Sequence, residues 1–438
     1  MGSRLSAPGP QQKRFAAYTE GLAQAAGHAD RAIPLKNYCT GLLLPGERKS
    51  VEPMAARLAP DNVRRMHQSL HHVVADAAWD DEDVLRQVRD SVLPAMQKHG
   101  AIVCWIVDDT GFPKKGSHSV GVTRQYCGQV GKQDNCRVAV SLSVATWSSS
   151  LPIAYRLYLP EVWASDKQRR KQAGVPHEIE FQTKPQIALD QIREAVNDGV
   201  PRGVIVADAG YGVDSKFRSG VADLGLNYVV GIQSSVSVWK PGTEPLPPLP
   251  RKRIGRPPRL LRRDSDHQPV SVKQVALSLP SESWKTITWR QGARYKLRSR
   301  FAALRIRPAH RDYWQAEPHP EEWLVIEWPK QEPEPTKYWV STLPPQTKLR
   351  DLVAIAKQRW IIERDYQELK QELGLGHYEG RGWRGFHHHA TLCIAAYGFL
   401  VAERNRFSPS ARVGNLGLSA AEPPPDFRPR GSRPTRAA

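Results

Sequence analysis

The chain has 438 residues, 63 Lys and Arg against 44 Asp and Glu, a formal net charge of +19 and a pI near 9.8. That length holds two or three domains, and the basic excess points to a polyanionic partner, with nucleic acid ahead of an anionic membrane surface. No apolar run reaches the roughly 18 residues of a membrane span, no charged-then-apolar leader opens the chain, and five scattered cysteines without a Cys-x-x-Cys pair argue against a disulfide framework or structural zinc, so a soluble cytoplasmic protein without membrane association is expected.

Residues 1–98 read as a helical region for DNA binding or dimerisation. Gln11 to Ala26 is Ala-rich, Val63 to Ala78 places Val63, Met66, Leu70, Val73 and Val74 at helical spacing, and Asp80-Asp81 can cap a helix from Glu82 to Lys98. Lys36 to Pro45 reads as a turn and an apolar segment. From residue 99 the texture changes to strands. Ala101 to Val107 is a continuous apolar run that ends at Asp108-Asp109 and opens into a basic loop with Lys114 and Lys115. Arg137 to Thr146 and Ile153 to Leu159 predict two further strands, antiparallel neighbours of the first. After a helix from Pro185 to Asn197, Gly203 to Ala207 forms a second short buried strand, ending at Asp208. Helix and strand follow at Lys216–Leu224 and Tyr228–Ile232, so residues 99–233 are mixed α/β.

Residues 234–335 break this pattern. A Pro-rich stretch leads to Arg251-Lys252-Arg253-Ile254-Gly255-Arg256-Pro257, which reads as an exposed basic strap through Arg263. Gly255-Arg256-Pro257 resembles the core of an AT-hook, which inserts arginine into the minor groove of A·T-rich DNA; non-specific phosphate contact is the preferred reading. Strands at Thr286–Trp289, Phe301–Ile306 and Glu322–Trp328 make this a β-rich insertion. Residues 336–406 begin with a strand, Lys337–Thr342, that carries Tyr338 and Trp339. A helix follows from Arg359 to Gly374, on which Arg359, Glu363, Gln367 and Lys370 share one face. An apolar helix from Thr391 to Glu403 caps this part. His387-His388-His389 point in three directions on a helix and do not make a metal site. Residues 407–438, poor in large apolar side chains, read as a disordered tail.

Three carboxylates in a basic protein fit phosphodiester chemistry, in which two hard divalent cations take oxygen ligands and activate a water or a 3′-hydroxyl. The order strand-Asp, strand-Asp, β-rich insertion, helix-Glu resembles the DDE-type insertion-sequence transposases. Asp108-Asp109-Thr110-Gly111-Phe112-Pro113-Lys114-Lys115-Gly116, Ala207-Asp208-Ala209-Gly210-Tyr211 and Glu363 to Gly374 look like the subgroup with a Tyr-x2-Arg-x3-Glu-x6-Lys helix. Ala356 stands where that signature has tyrosine.

The resemblance implies an RNase H-like α/β catalytic core with a β-rich insertion between the second Asp and the Glu, plus an N-terminal helical domain. It implies a Mg²⁺-dependent endonuclease and strand transferase, with Mn²⁺ as a substitute. Asp108, Asp208 and Glu363 would hold two ions, with Asp109 as the alternative first ligand. Arg359 and Lys370 would meet phosphates, Tyr338 or Trp339 would stack on a flipped base, and Lys114, Lys115, Arg251, Arg253 and Arg256 would contact DNA. The partners implied are double-stranded DNA, as terminal inverted repeats and target, and a second copy of the chain, at a bacterial nucleoid. A nuclease or resolvase without strand transfer and a non-catalytic DNA-binding descendant are the alternatives.

Overall fold

The computed structural model describes residues 9–249, 259–292 and 295–407. They divide into two compact units, one formed by the chain up to Tyr211 together with the segment from Gln358 on, the other by Gly212–Lys357. The sequence texture changes elsewhere, at 233/234 and 335/336.

The first unit opens with helices α1 (Pro10–Ala25), α2 (Ala32–Leu43), α3 (Val51–Leu58), α4 (Val63–His71) and α5 (Asp81–Gln97). Helix α2 corrects the turn expected from Lys36 onward. Leu35, Tyr38, Cys39 and Leu42 recur at helical spacing and are all buried, so the segment gains more by burying one helical face than by turning. Asp80 caps α5, accepting from the Glu82 amide at 2.8 Å, and Val84, Val88 and Val92 line its buried face.

Strands β1 (Cys104–Pro113), β2 (Thr123–Cys127), β3 (Lys132–Ala145) and β4 (Ser150–Leu157) follow. β1 pairs antiparallel with β3 along its whole length, from Cys104 opposite Ala145 to Pro113 opposite Cys136. β2 and β4 share the other edge of β3. The expectation that the strand ends at Val107 is therefore corrected: hydrogen bonding to β3 carries Asp108 and Asp109 inside β1. Short helices α6 (Glu161–Ala164) and α7 (Lys167–Gln172) lead to α8 (Lys184–Asn197), which Thr183 opens with a capping box. β5 (Val204–Ala207) then pairs parallel with β1, and the single turn α9 (Ala209–Gly212) follows Asp208.

The second unit holds α10 (Ser215–Asp223), β6 (Tyr228–Ile232), β7 (Ser237–Trp239), β8 (Val270–Ser271), α11 (Val272–Leu277), β9 (Lys285–Gln291), β10 (Lys296–Pro308), β11 (Glu322–Trp328), β12 (Lys337–Ser341) and α12 (Leu349–Lys357). Its antiparallel pairings run β6 to β12, β12 to β11, β11 to β10 and β10 to β9.

Helices α13 (Trp360–Gln371) and α14 (Trp383–Phe407) complete the first unit. α14 is buried along most of its length and packs against α2, α5 and β4. Its three consecutive histidines take three separate partners: His387 Nε2 accepts the Leu157 amide at 3.1 Å, His388 stacks on Trp79 at 3.7 Å between ring centroids, and His389 Nδ1 meets the Tyr38 hydroxyl at 2.8 Å. Burial lowers their pKa values to about 4, 3 and 4, which keeps all three neutral. No helix among the described residues is long and apolar enough to cross a membrane, and all five cysteines are buried free thiols.

Candidate active site

The site begins with register. β1 and β5 pair in parallel with Cys104 opposite Val204, Trp105 opposite Ile205 and Ile106 opposite Val206. Continued two residues, the same register sets Asp108 beside Asp208 on one face. Both strands are fully apolar up to this point, with Trp105, Ile106 and Ile205 completely buried, so the two aspartates stand where a packed core ends. Asp208 Oδ1 accepts the Gly210 amide at 2.8 Å, turning the chain into α9. A β-carbon at Gly210 would lie 3.0 Å from that Oδ1 and would crowd the carboxylate.

Helix α13 faces this pair. Arg359, at its N-terminus, donates from Nη1 to Asp108 Oδ2 at 2.6 Å, while Asp108 Oδ1 accepts the Asp109 amide at 2.9 Å. Burial is the largest influence on Asp108; it, Asp109 and Asp208 outweigh Arg359 and push the carboxyl from 3.8 up to about 7. At Arg359 burial pulls the pKa down, but Asp108, Asp208, Glu363 and Asp109 together raise it above its ordinary value. One guanidinium thus answers several carboxylates, and negative charge is left over.

Asp109 points to the opposite face of β1, as alternation along a strand requires. Its Oδ2 accepts from Lys184 Nζ of α8 at 2.8 Å. On the α13 side, Tyr366 donates to the Ser141 hydroxyl, and Ser141 donates to the Asp108 carbonyl at 3.3 Å. Sequence reasoning missed both Lys184 and Tyr366. The signal for Tyr366 was present, since Ile362, Tyr366 and Leu369 form a buried helical stripe; no local pattern announced Lys184.

Glu363 lies one turn beyond Arg359, exposed. As the side chains stand, no three Asp, Glu, His or Cys groups among the described residues converge closely enough to hold a metal ion. The three carboxylates are therefore not gathered as the side chains stand: register sets Asp108 and Asp208 together, and Glu363 is linked to them through Arg359, whose guanidinium all three influence. The donors nevertheless fit a hard divalent cation, since all are carboxylate oxygens and one guanidinium faces several of them.

Several residues expected to contact DNA have partners within the chain. Lys370 Nζ donates to the Gly111 carbonyl at 3.0 Å and to Gln129 Oε1 at 3.2 Å, above the Phe112 ring. Lys114 is turned inward and donates to the Tyr378 carbonyl at 2.9 Å; burial first, then Arg137 and Arg48, lower its pKa to about 8. Lys115 is exposed. Tyr338 and Trp339 are both buried, because β12 is an interior strand between β6 and β11. Tyr338 donates to the Pro335 carbonyl at 3.3 Å and Trp339 packs under the Lys357 ammonium, so neither offers a free face to a base. Arg251, Arg253 and Arg256 lie outside the described residues. At the strap's end, Arg263 pairs with the fully buried Asp312 at 2.6 Å and is structural.

Residues 21–296, more than half the chain, match the family described as DDE superfamily endonuclease, and the chain belongs to that family. The matched segment contains Asp108 and Asp208 and stops before Glu363. The chain is also 34% identical over 190 residues to a protein of Microchaete diplosiphon named probable transposase for insertion sequence element IS701. That similarity covers 43% of this chain and 46% of the relative, so the chain spans about half the length of the curated relative it matches.

Proposed function

We propose that this chain is a DNA transposase that cuts the ends of its own mobile element and joins the freed 3′-hydroxyl to target DNA. The observation that carries this reading is the parallel register of β1 and β5, which brings Asp108 and Asp208 together at the edge of a core, with Arg359 of α13 bonded to Asp108. The strand order β4-β3-β1-β5, with three antiparallel strands and a fourth parallel to the first, supports an RNase H-like core.

Asp108 and Asp208 would hold Mg²⁺ or Mn²⁺, with Glu363 as the third ligand. When bound, these ions supply Lewis-acid activation of the attacking oxygen and offset charge on the phosphate. Arg359 keeps the carboxylates from mutual repulsion and brings a guanidinium to a phosphate-facing position. Lys370 locks the continuation of β1 to α13, fixing the strand on which Asp108 sits. The surplus of cations elsewhere attracts the DNA backbone, and joining two element ends calls for a dimer on DNA.

Asp108→Asn, Asp208→Asn and Glu363→Gln should each lower cleavage of DNA carrying the element's ends by more than about 10²-fold while DNA binding in EDTA survives. Any of the three cutting at the wild-type rate with Mg²⁺ removes that residue from the metal site. A plasmid-target joining assay separates transposition from simple nuclease action: cleavage without 3′-hydroxyl joining would leave only a nuclease.

A further inference from the structure

The helix that carries Glu363 is fixed in the first unit by polar groups that the proposed chemistry does not use. Glu363 and Asp365 are two residues apart on α13, about 200° around the helix, so one faces solvent while the other faces the core. Asp365 is completely buried. Its Oδ1 accepts the Tyr397 hydroxyl of α14 at 2.7 Å, and its Oδ2 accepts the hydroxyl of Ser150, the first residue of β4. At the N-terminal end of the helix the buried Gln358 donates from Nε2 to the Thr146 carbonyl at 3.0 Å.

A leucine at position 365 would fill the same interior space without the desolvation cost of a carboxylate. What a carboxylate adds is direction. Apolar packing tolerates a small roll of a helix about its axis, whereas two hydroxyls donating to the two oxygens of one side chain, from two different elements, do not. A roll of about 20° on a helix whose side-chain ends lie about 5–6 Å from the axis moves those ends by roughly 2 Å, comparable to a whole metal–oxygen bond. Tyr366, next in sequence, ties the same helix through Ser141 to the peptide of Asp108 itself.

We propose that Asp365 is a positioning residue for the divalent-cation site: held by Tyr397 and Ser150, it sets the rotation of α13 that turns Glu363 toward Asp108 and Asp208. This rests on reading Glu363 as the third ligand.

The test is Mn²⁺ binding to the full chain without DNA, read from the loss of the free-ion electron paramagnetic resonance signal, alongside thermal unfolding. Glu363→Gln should weaken Mn²⁺ binding, and Asp365→Asn should weaken it by about tenfold, the size expected for an outer-shell partner of a ligand. The double variant should bind no more weakly than Glu363→Gln alone, since both changes remove one ligand. Asp365→Leu separates positioning from stability: its Mn²⁺ affinity should fall as in Asp365→Asn whatever happens to its melting temperature. Weak binding by Glu363→Gln with wild-type binding by Asp365→Asn would overturn the positioning role alone. Wild-type binding by Glu363→Gln would overturn the assignment of Glu363, and this proposal with it. Should both Asp365 variants fail to fold, Tyr397→Phe removes one donor and keeps the carboxylate; unchanged Mn²⁺ affinity in that variant overturns the proposal.

Discussion

Replacing Asp108 with Asn should make the metal-free protein more stable at pH 8. The Asp108 carboxyl is pushed from 3.8 up to about 7, chiefly by burial and then by Asp109 and Asp208, against the pull of Arg359. The folded chain therefore holds this proton more tightly than the unfolded chain does. The stability so conferred is fully present below pH 3.8 and is lost as the pH rises to about 7. Three pH units at about 1.36 kcal/mol each amount to roughly 4 kcal/mol, of which about 3 disappears between about pH 5 and 8. Asparagine has no proton to lose, so this contribution to the pH dependence is absent from the variant. Loss of the Arg359 pair offsets part of the gain, by about 1 kcal/mol for a partly exposed guanidinium. Asp365, raised to about 6 by burial, titrates in both proteins and cancels in the difference. Urea unfolding in EDTA, followed by tryptophan fluorescence with the buried Trp105 of β1 as one reporter, measures this directly. Parallel pH profiles for wild type and variant would refute the reasoning. Mg²⁺ should stabilise only the wild type, by about 2.7 kcal/mol at roughly a hundred times its dissociation constant.

In the second unit, Lys357 Nζ lies 2.5 Å from Glu327 Oε2 and over the Trp289 ring at 4.4 Å. Lys357→Met strands the buried Glu327 and should cost about 3–5 kcal/mol in chemical unfolding, much of it recovered when Glu327→Leu is added. Trp339→Ala should lower stability by about 3–5 kcal/mol, while binding of DNA by the folded fraction is unchanged in a mobility-shift assay. Deleting residues 251–259, which spares the Arg263–Asp312 pair, should weaken DNA binding and flatten its salt dependence, with the slope falling by about 0.9 for each phosphate the chain ceases to neutralise. Gly212→Ala should disrupt folding, seen as loss of soluble protein, because a β-carbon there would stand 1.9 Å from the Gly231 carbonyl oxygen of β6.

Much of the site could be read from local pattern. Two apolar runs each stopping at an aspartate, and one helical face bearing Arg359, Glu363 and Lys370, are one-dimensional signals, and the strands and helix lie close to where those signals place them. What escaped the sequence is what depends on pairing between distant segments. The extension of β1 through Pro113 is imposed by β3, and the inward turn of Lys114 by the Tyr378 carbonyl, 264 residues away. Which of Asp108 and Asp109 meets α13 follows only once Arg359 is seen on one face of β1 and Lys184 of α8 on the other. Tyr338 and Trp339 mislead because an aromatic pair on an edge strand and one on an interior strand look alike in sequence.

The burial of α14 against α2, α5 and β4 has an evolutionary corollary. A detachable recognition module can be exchanged between relatives by recombination at a linker. Here the opening helices share their interior with α14 of the same unit, which also holds them through the ion pair of Arg14 with Glu403 and the Tyr18 hydroxyl bonded to the Ala395 carbonyl at 2.8 Å. A swap of the opening helices would have to be matched by a new α14 to keep that shared interior filled.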